Sequence, residues 1–378
     1  FMYDTGSGKS YKGEPVVNIW SVQSGGNVNS RTSWDTPKAY NGDVTDAVYT
    51  GGTWSGNRIW EVLHTAGTSG YGGWESWRLC VSQPTAGSSY SSTRRVAIKI
   101  CILEGSISDL AIHSGGGNSS HNSSYFTAIP ESQVPRDCPI KSGWYQFLAT
   151  ANWNSTTVAH CVGLGFITYN RVKILTTEPM YYPSDHLIPF TGTERSTTQG
   201  LLDLTNNATI NLSNVSFDSN AQMVFDGTDD YTSLGNPTAL RDLTSGTIET
   251  VYYRDASSGT YQMVFTDAGS DLEITYLGNT LQFYIGNSGL SYTHAVTDQW
   301  FNVVGTWGSG FKKLYINGVE VASGTNTGTD TGNRDRYVGG RGANFPFNGE
   351  IPIARIYGQA LTDEEVLQNY NAFKSRFL

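Results

Sequence analysis

Apolar and polar positions alternate along most of this chain. In DLEITYLGNTLQFYIG (271–286), Leu281, Phe283 and Ile285 fall on one face and Gln282 and Tyr284 on the other. A period of two is the signature of a strand with one buried face. Runs of the same kind recur. In the first half they are RIWEVLH (58–64), WESWRLCVS (74–82), RRVAIKICILE (94–104), SGWYQFLATANW (142–153), TTVAHCVGLGFITY (156–169) and RVKILTT (171–177). In the second half they are AQMVFDGTDDYTSL (221–234), GTIETVYYR (246–254), TYQMVFTD (260–267), QWFNVVGTWG (299–308) and FKKLYINGVEVAS (311–323). Clusters of Gly, Ser, Asn and Pro separate them, as turns require. Asn317-Gly318 predicts a two-residue hairpin, because both residues tolerate the positive φ of a type I′ turn.

The period changes once. LTDEEVLQNYNAFKSRF (361–377) spaces Val366, Leu367, Tyr370 and Phe373 for one helical face. Thr362 with Glu365 forms a capping box, and Leu361 with Val366 a hydrophobic staple. Asp363, Glu364 and Glu365 then complement the helix dipole and are not read as catalytic. The expected fold class is all-β: two β-sandwich (jelly-roll) domains in tandem with one short C-terminal helix. TEPMYYPSDHLIPFTGTERSTTQG (177–200) holds Pro179, Pro183 and Pro189, which cannot donate to a sheet ladder, so the domain break is placed there. The division predicted is an extended N-terminal arm over 1–40, a sandwich over 41–178, a linker over 179–200 and a second sandwich over 201–378. The apolar patch VVNIW (16–20) is expected to draw the arm against another chain or the second domain.

Composition supports strands. Of 378 residues, 43 are Gly and 47 are aromatic (10 Trp, 22 Tyr, 15 Phe), while only 15% are charged. That charged share lies below the roughly 25% of ordinary soluble proteins, and scarce Lys and Glu disfavour helix. The aromatic count supplies a core and argues against disorder. A net charge of −9 argues against a nucleic-acid partner, whose phosphates need a basic face. No run approaches the roughly 18 apolar residues of a membrane span, so no membrane insertion is expected. The opening FMYDTGSGKS lacks the basic start and apolar run of a signal peptide, and a start at Phe1 suits a trimmed or processed chain.

Candidate chemistry is sparse. The six histidines form no HxH or HExxH, GxSxG is absent, and the GKS of residues 8–10 lacks the spaced glycine and preceding strand of a phosphate loop. Cys80, Cys101, Cys138 and Cys161 include no CxxC pair. Buried free thiols are the leading reading, and disulfides would allow three connectivities. Six N-x-S/T sequons are read as a product of Asn/Ser/Thr-rich composition. Trp54, Tyr71, Trp74 and Trp77 lie in Gly-rich stretches where exposed rings could stack on sugar faces; core packing is the competing reading for each. Trp74 and Trp77, at odd spacing, point to opposite faces if the segment is a strand. Trp300 is assigned to the core.

Five blocks in the second half resemble the laminin-G-like, concanavalin A-like jelly-roll family: MVFDGTDDYTSLGN (223–236), QWFNVVGTWG (299–308), KLYINGVEVASG (313–324), YVGGRG (337–342) and FNGEIPIARIYGQALTDEEV (347–366). The resemblance implies a calcium in loops at a sheet rim. Asp226, Asp229 and Asp230 crowd one turn, with Asp226 serving the turn and Asp229 and Asp230 the candidate calcium ligands. Related glycoside hydrolases carry Glu-x-Asp-x-x-Glu on one strand, and that spacing is missing, so no enzyme is expected. The first half resembles a carbohydrate-binding-module-like sandwich. YDTGSGKSYKGEPVVNI (3–19), SGWYQFLATAN (142–152) and PFTGTERS (189–196) resemble bacteriophage tail-fibre and other virion-surface proteins. The resemblance implies a non-enzymatic virion-surface protein, a fibre or capsid decoration, with other virion proteins as partners, a homo-oligomer (a trimer favoured), and a cell-surface glycan as ligand. A secreted extracellular bacterial carbohydrate-binding protein and a polysaccharide-degrading enzyme are the alternatives.

Overall fold

The computed structural model describes residues 1–15, 48–64, 94–114, 125–151, 162–166, 170–184, 186–191, 195–255, 260–286, 288–330 and 332–377. They form antiparallel sheets of eight, seven and six strands and a two-stranded pair. Two compact units result, one of residues 16–194 and one joining 1–15 to 195–378. Among the described residues no helix is long and apolar enough to cross a membrane.

The chain opens with β1 (Met2–Asp4) of the discontinuous unit. The inserted unit follows, with β2 (Val48–Trp54), β3 (Asn57–His64), β4 (Arg94–Glu104), β5 (Leu110–Ser114), β6 (Phe126–Ala128), β7 (Trp144–Ala151), β8 (Val162–Phe166) and β9 (Val172–Pro183). Its main sheet runs β2-β3-β9-β4-β7-β6, and β5 pairs with β8. β9 passes through part of the stretch expected to be a linker. Opposite Ile98, the register between β4 and β9 slips so that Glu178 and Pro179 are both left out of the pairing. Glu178 stands at φ 51°, and this bulge is where a residue without an N–H can sit inside a sheet. Trp54, Cys101, Cys138, Trp144 and Leu175 share one buried cluster. Cys101 and Cys138 are free thiols, and burial pushes Cys101 up to about 11. Cys80 and Cys161 lie outside the described residues.

The discontinuous unit resumes with β10 (Asn211–Ser213), β11 (Ser216–Phe217), β12 (Met223–Asp226), β13 (Tyr231–Gly235), β14 (Gly246–Arg254), β15 (Tyr261–Asp267), β16 (Leu272–Leu277), β17 (Thr280–Ile285) and β18 (Ser288–Thr293). It ends with β19 (Gln299–Gly308), β20 (Phe311–Ile316), β21 (Val319–Gly324), β22 (Arg336–Val338), β23 (Asn348–Tyr357) and helix α1 (Asp363–Phe377). One sheet runs β11-β12-β23-β14-β19-β20-β21 with β1 also on β23, and the other runs β10-β13-β22-β15-β16-β17-β18. Their facing sides make a jelly-roll core from Leu281, Phe283, Ile285, Ile274, Val303, Trp307 and Leu314 among others. The predicted hairpin joins β20 to β21 with Asn317 at φ 52° and Gly318 at φ 77°.

The expected division differs most at the N-terminus. Residues 1–15 do not extend as an arm but complete the unit formed by 195–378. Met2–Asp4 pairs with Ile353–Arg355, Tyr3 is fully buried, and its hydroxyl donates to the Ile351 carbonyl at 3.0 Å. Asp203 accepts from the Met2 N–H at 2.9 Å. Without β1, one end of β23 would present unpaired backbone groups. The patch VVNIW lies outside the described residues.

Helix α1 carries the predicted capping box: the Glu365 N–H donates to Thr362 Oγ1 at 3.2 Å and the Thr362 N–H to Glu365 Oε2 at 2.8 Å. Leu361 and Val366 share a cluster with Val304 and Tyr315. Phe373 packs with Val251 and Ile353. Leu367 instead stays 46% exposed, because only part of the expected face meets the sheet. Trp300 is likewise no member of the inter-sheet core: it lies on the helix side, 4.9 Å from Phe377. Trp307 fills the core position in that strand.

Candidate functional site

On the outer side of the seven-stranded sheet, the alternation of β15, β16 and β17 turns Tyr261, Met263, Glu273 and Tyr284 away from the core. Together with Ser270, Gly286, Arg341 and Phe345 they line a groove of about 350 Å³. Three strands, the turns that follow two of them and one longer connection supply it. Tyr261 and Met263 stand on β15, Glu273 on β16 and Tyr284 on β17. Ser270 lies in the β15–β16 turn, and Arg341 and Phe345 in the β22–β23 connection.

That connection is pulled onto the sheet by its backbone. The Met263 N–H donates to the Phe345 carbonyl at 3.1 Å, and Arg341 and Asn344 exchange backbone bonds at 2.8 and 3.2 Å. Phe345 is held at φ 54°, a left-handed conformation costly for a bulky side chain. The conformation sets its ring edge-on to Tyr261, with centroids 5.8 Å apart, and beneath the Arg341 guanidinium at 5.3 Å. Tyr284 owes its position to Gly289 on β18: a Cβ there would stand 2.6 Å from the Tyr284 ring. Burial raises the Tyr284 pKa, helped by the nearby Tyr261 and the Glu273 charge.

The floor is polar. Arg341 Nη2 donates to both Ser270 Oγ and Glu273 Oε1. Thr266 Oγ1 donates to the same Glu273 oxygen at 2.9 Å. Three aromatic rings, a guanidinium, a carboxylate and a hydroxyl therefore converge on one groove, an arrangement suited to a ligand with apolar faces and polar edges.

Of the aromatics expected to bind glycans, Trp54 is 5% exposed, with its ring packed at 4.9 Å on Trp144 and Lys99 Nζ at 5.4 Å. Its face is closed to a sugar, because β2 folds it into the apolar cluster of its own unit. Tyr71, Trp74 and Trp77 lie outside the described residues. Alternation places Tyr284 on the face of its strand opposite Leu281, Phe283 and Ile285, but no local pattern announces that Phe345 and Arg341 arrive beside it.

Asp226, Asp229 and Asp230 do come together, their carboxylate oxygens lying within 4.8 Å of one another in the β12–β13 turn. Asp230 is buried and accepts from the Asp226 N–H at 2.8 Å, while Asp226 Oδ1 accepts from the Thr228 N–H at 2.8 Å. Burial raises the Asp230 pKa, and the charges of Asp226 and Asp229 add to the rise. In kind the three oxygens fit a hard cation, but they are fewer than the six to eight that calcium takes, and two of the carboxylates already serve the turn.

Comparison with known proteins bears on the second half of the chain. The model of the concanavalin A-like lectin/glucanases superfamily, of the laminin G kind, matches residues 226–367, so a domain of that type lies there. No curated protein matches the chain. Among solved structures, the botulinum neurotoxin serotype G binding domain is similar at 17% identity and a TM-score of 0.41, over 47% of this chain and 49% of that one. The serotype D ligand binding domain in complex with N-acetylneuraminic acid gives 14% and 0.40, over 47% and 49%. Domain 4 of an extracellular arabinanase from Geobacillus stearothermophilus, in complex with arabinotriose, gives 20% and 0.38, over 46% and 92%. The chain spans about half the length of the neurotoxin domains that it matches.

Proposed function

We propose that this chain is a carbohydrate-binding protein without catalytic activity, and that the groove on the seven-stranded sheet is its sugar site. The observation that carries the reading is the lining itself. Tyr261, Tyr284 and Phe345 offer ring surfaces for sugar C–H faces, and Arg341, Ser270 and Glu273 offer donors and acceptors for hydroxyls. Sugars present both surfaces at once, and a preformed groove with a few fixed polar groups is the usual way to hold them. Binding rather than cleavage is favoured because Glu273 is the single carboxylate among the described lining residues, and it is already paired with Arg341. Hydrolysis of a glycosidic bond ordinarily uses two carboxyl groups, one of them free to protonate the leaving group.

A place on a virion surface, as a fibre or capsid-decoration protein, rests on the resemblance of residues 3–19, 142–152 and 189–196 to such proteins. The groove fits a secreted glycan-binding protein equally well.

Calorimetric titration against a panel of soluble oligosaccharides tests the function. A saturable heat with at least one glycan, without release of shorter products, is the expected result. Product release, or no binding across the panel, would overturn it.

A further inference from the structure

We propose that the groove selects by charge: it takes neutral sugar chains and turns away those carrying carboxylates, with Glu273 as the residue that sets the choice. The inference rests on the glycan-binding reading above and goes on to name the ligand class.

Among the described residues, Arg341 is the only cation lining the groove. Alone, a guanidinium beside aromatic rings would be a carboxylate clamp, because its planar fork matches a carboxylate with two parallel hydrogen bonds. Here Nη2 is already held by Glu273 and by the Ser270 hydroxyl. Glu273 itself is 4% exposed and fixed from behind by Thr266. It cannot swing away to make room for a second anion. Off the β15–β16 turn, Arg334 pairs with Asp271 at 3.0 Å, again one charge against its opposite. The lining groups thus carry no net charge, and an incoming carboxylate that reaches for Arg341 meets the Glu273 carboxylate at close range. In a partly desolvated groove that repulsion is strong, and rejection by a placed like charge is a general route to specificity. A hydroxyl or ring oxygen meets no such penalty. The Arg341 side chain stays 23% exposed, so a hydroxyl can still reach the guanidinium. The chain's net charge of −9 works in the same direction at longer range.

The test uses the full chain and a glycan panel in which each acidic member, uronate-containing or ending in N-acetylneuraminic acid, is paired with its carboxyl-reduced counterpart. Wild type is expected to bind neutral members at least tenfold more tightly than their acidic partners, with little dependence on salt. Glu273→Gln, which keeps an acceptor for Thr266 but removes the charge, should narrow the neutral-over-acidic ratio of the matched pairs at least tenfold, by a gain for the acidic members. Acidic members bound by wild type as tightly as their neutral partners would overturn charge selection while leaving glycan binding in place. No binding by any member would remove the glycan-binding reading itself. A selective wild type with a folded Glu273→Gln that gains nothing would take the role from Glu273. Should that variant fail to fold, the matched pairs measured on wild type still decide the selectivity.

Discussion

The two sheets of the jelly roll share one apolar core, but their outer faces end differently. On the eight-stranded sheet, α1 covers the face. Val304 and Val251 are fully buried beneath it, and so is the carboxylate of Glu249. Glu249 is held by Asn302, Tyr357 and Asn369 at 2.9 to 3.2 Å. Burial raises its pKa against the pull of Arg355 and these donors. On the seven-stranded sheet a short connection covers part of the face, and the remainder is the groove. Both faces carry a buried glutamate, a tyrosine and an arginine, so side-chain inventory does not separate a structural face from a binding one. The difference lies in what is satisfied. Under α1 the Glu249 carboxylate spends both oxygens on protein donors, whereas the groove leaves the ring faces of Tyr261, Tyr284 and Phe345 and one edge of Arg341 for a ligand.

The sharpest way to break this contrast is Glu249→Ala. Removing one partner from a buried polar network strands the others, and the expected loss is about 3–5 kcal/mol of stability, read by urea denaturation. Glycan affinity of the surviving folded protein should be unchanged. An effect on affinity as large as the effect on stability would mean that the two faces are not independent.

Tyr284→Ala is the mirror experiment. Affinity should fall tenfold or more, roughly 1.4 kcal/mol, by the same titration. Stability should move by less than about 1 kcal/mol, because the ring is half-exposed and lies over a glycine.

The interior between the faces provides a pH test. Tyr252 and Tyr276 hydroxyls meet at 2.8 Å, and the Tyr276 hydroxyl meets His294 Nδ1 at 2.7 Å. The fully buried Arg254 guanidinium stands 3.8 Å from the Tyr276 ring centroid. Phe301 and Tyr292 flank the imidazole. Burial lowers the His294 pKa, and the Arg254 charge lowers it further. The unfolded chain, with an ordinary histidine near 6.5, then takes up the proton more readily than the fold does. The stability is fully present above that value and is lost as pH falls below it, by at most about 1.4 kcal/mol per unit. Thermal melts across pH 5–8 should show this slope, and His294→Gln should flatten it.

The smallest effect is expected at the acidic turn. Asp229→Asn removes one of three neighbouring charges and should raise the melting temperature slightly in chelator. Millimolar calcium should reverse the sign if the turn holds the cation, and an unchanged sign would leave the cluster as turn chemistry alone.

Much of this protein was legible as sequence because the governing interactions are local. Alternation identified most of the strands, Asn317-Gly318 a hairpin, and Thr362 with Glu365 the helix start; each depends on residues within a few positions. The outward direction of Tyr284 could be read in the same way. Tertiary structure alone decided the rest. β1 pairs with a strand some 350 residues later, which no local pattern announces. Pro179 sits inside a strand because a bulge removes the demand for its missing N–H. Trp54 is closed by Trp144, and the groove exists only because the connection carrying Arg341 and Phe345 is drawn over Tyr261 and Glu273 by a backbone bond to Met263. Propensity and periodicity act along the chain. Which strand becomes whose neighbour, and which outward rings end up facing one another, depends on register and loop closure over the whole domain, where only the summed packing of distant segments selects the outcome.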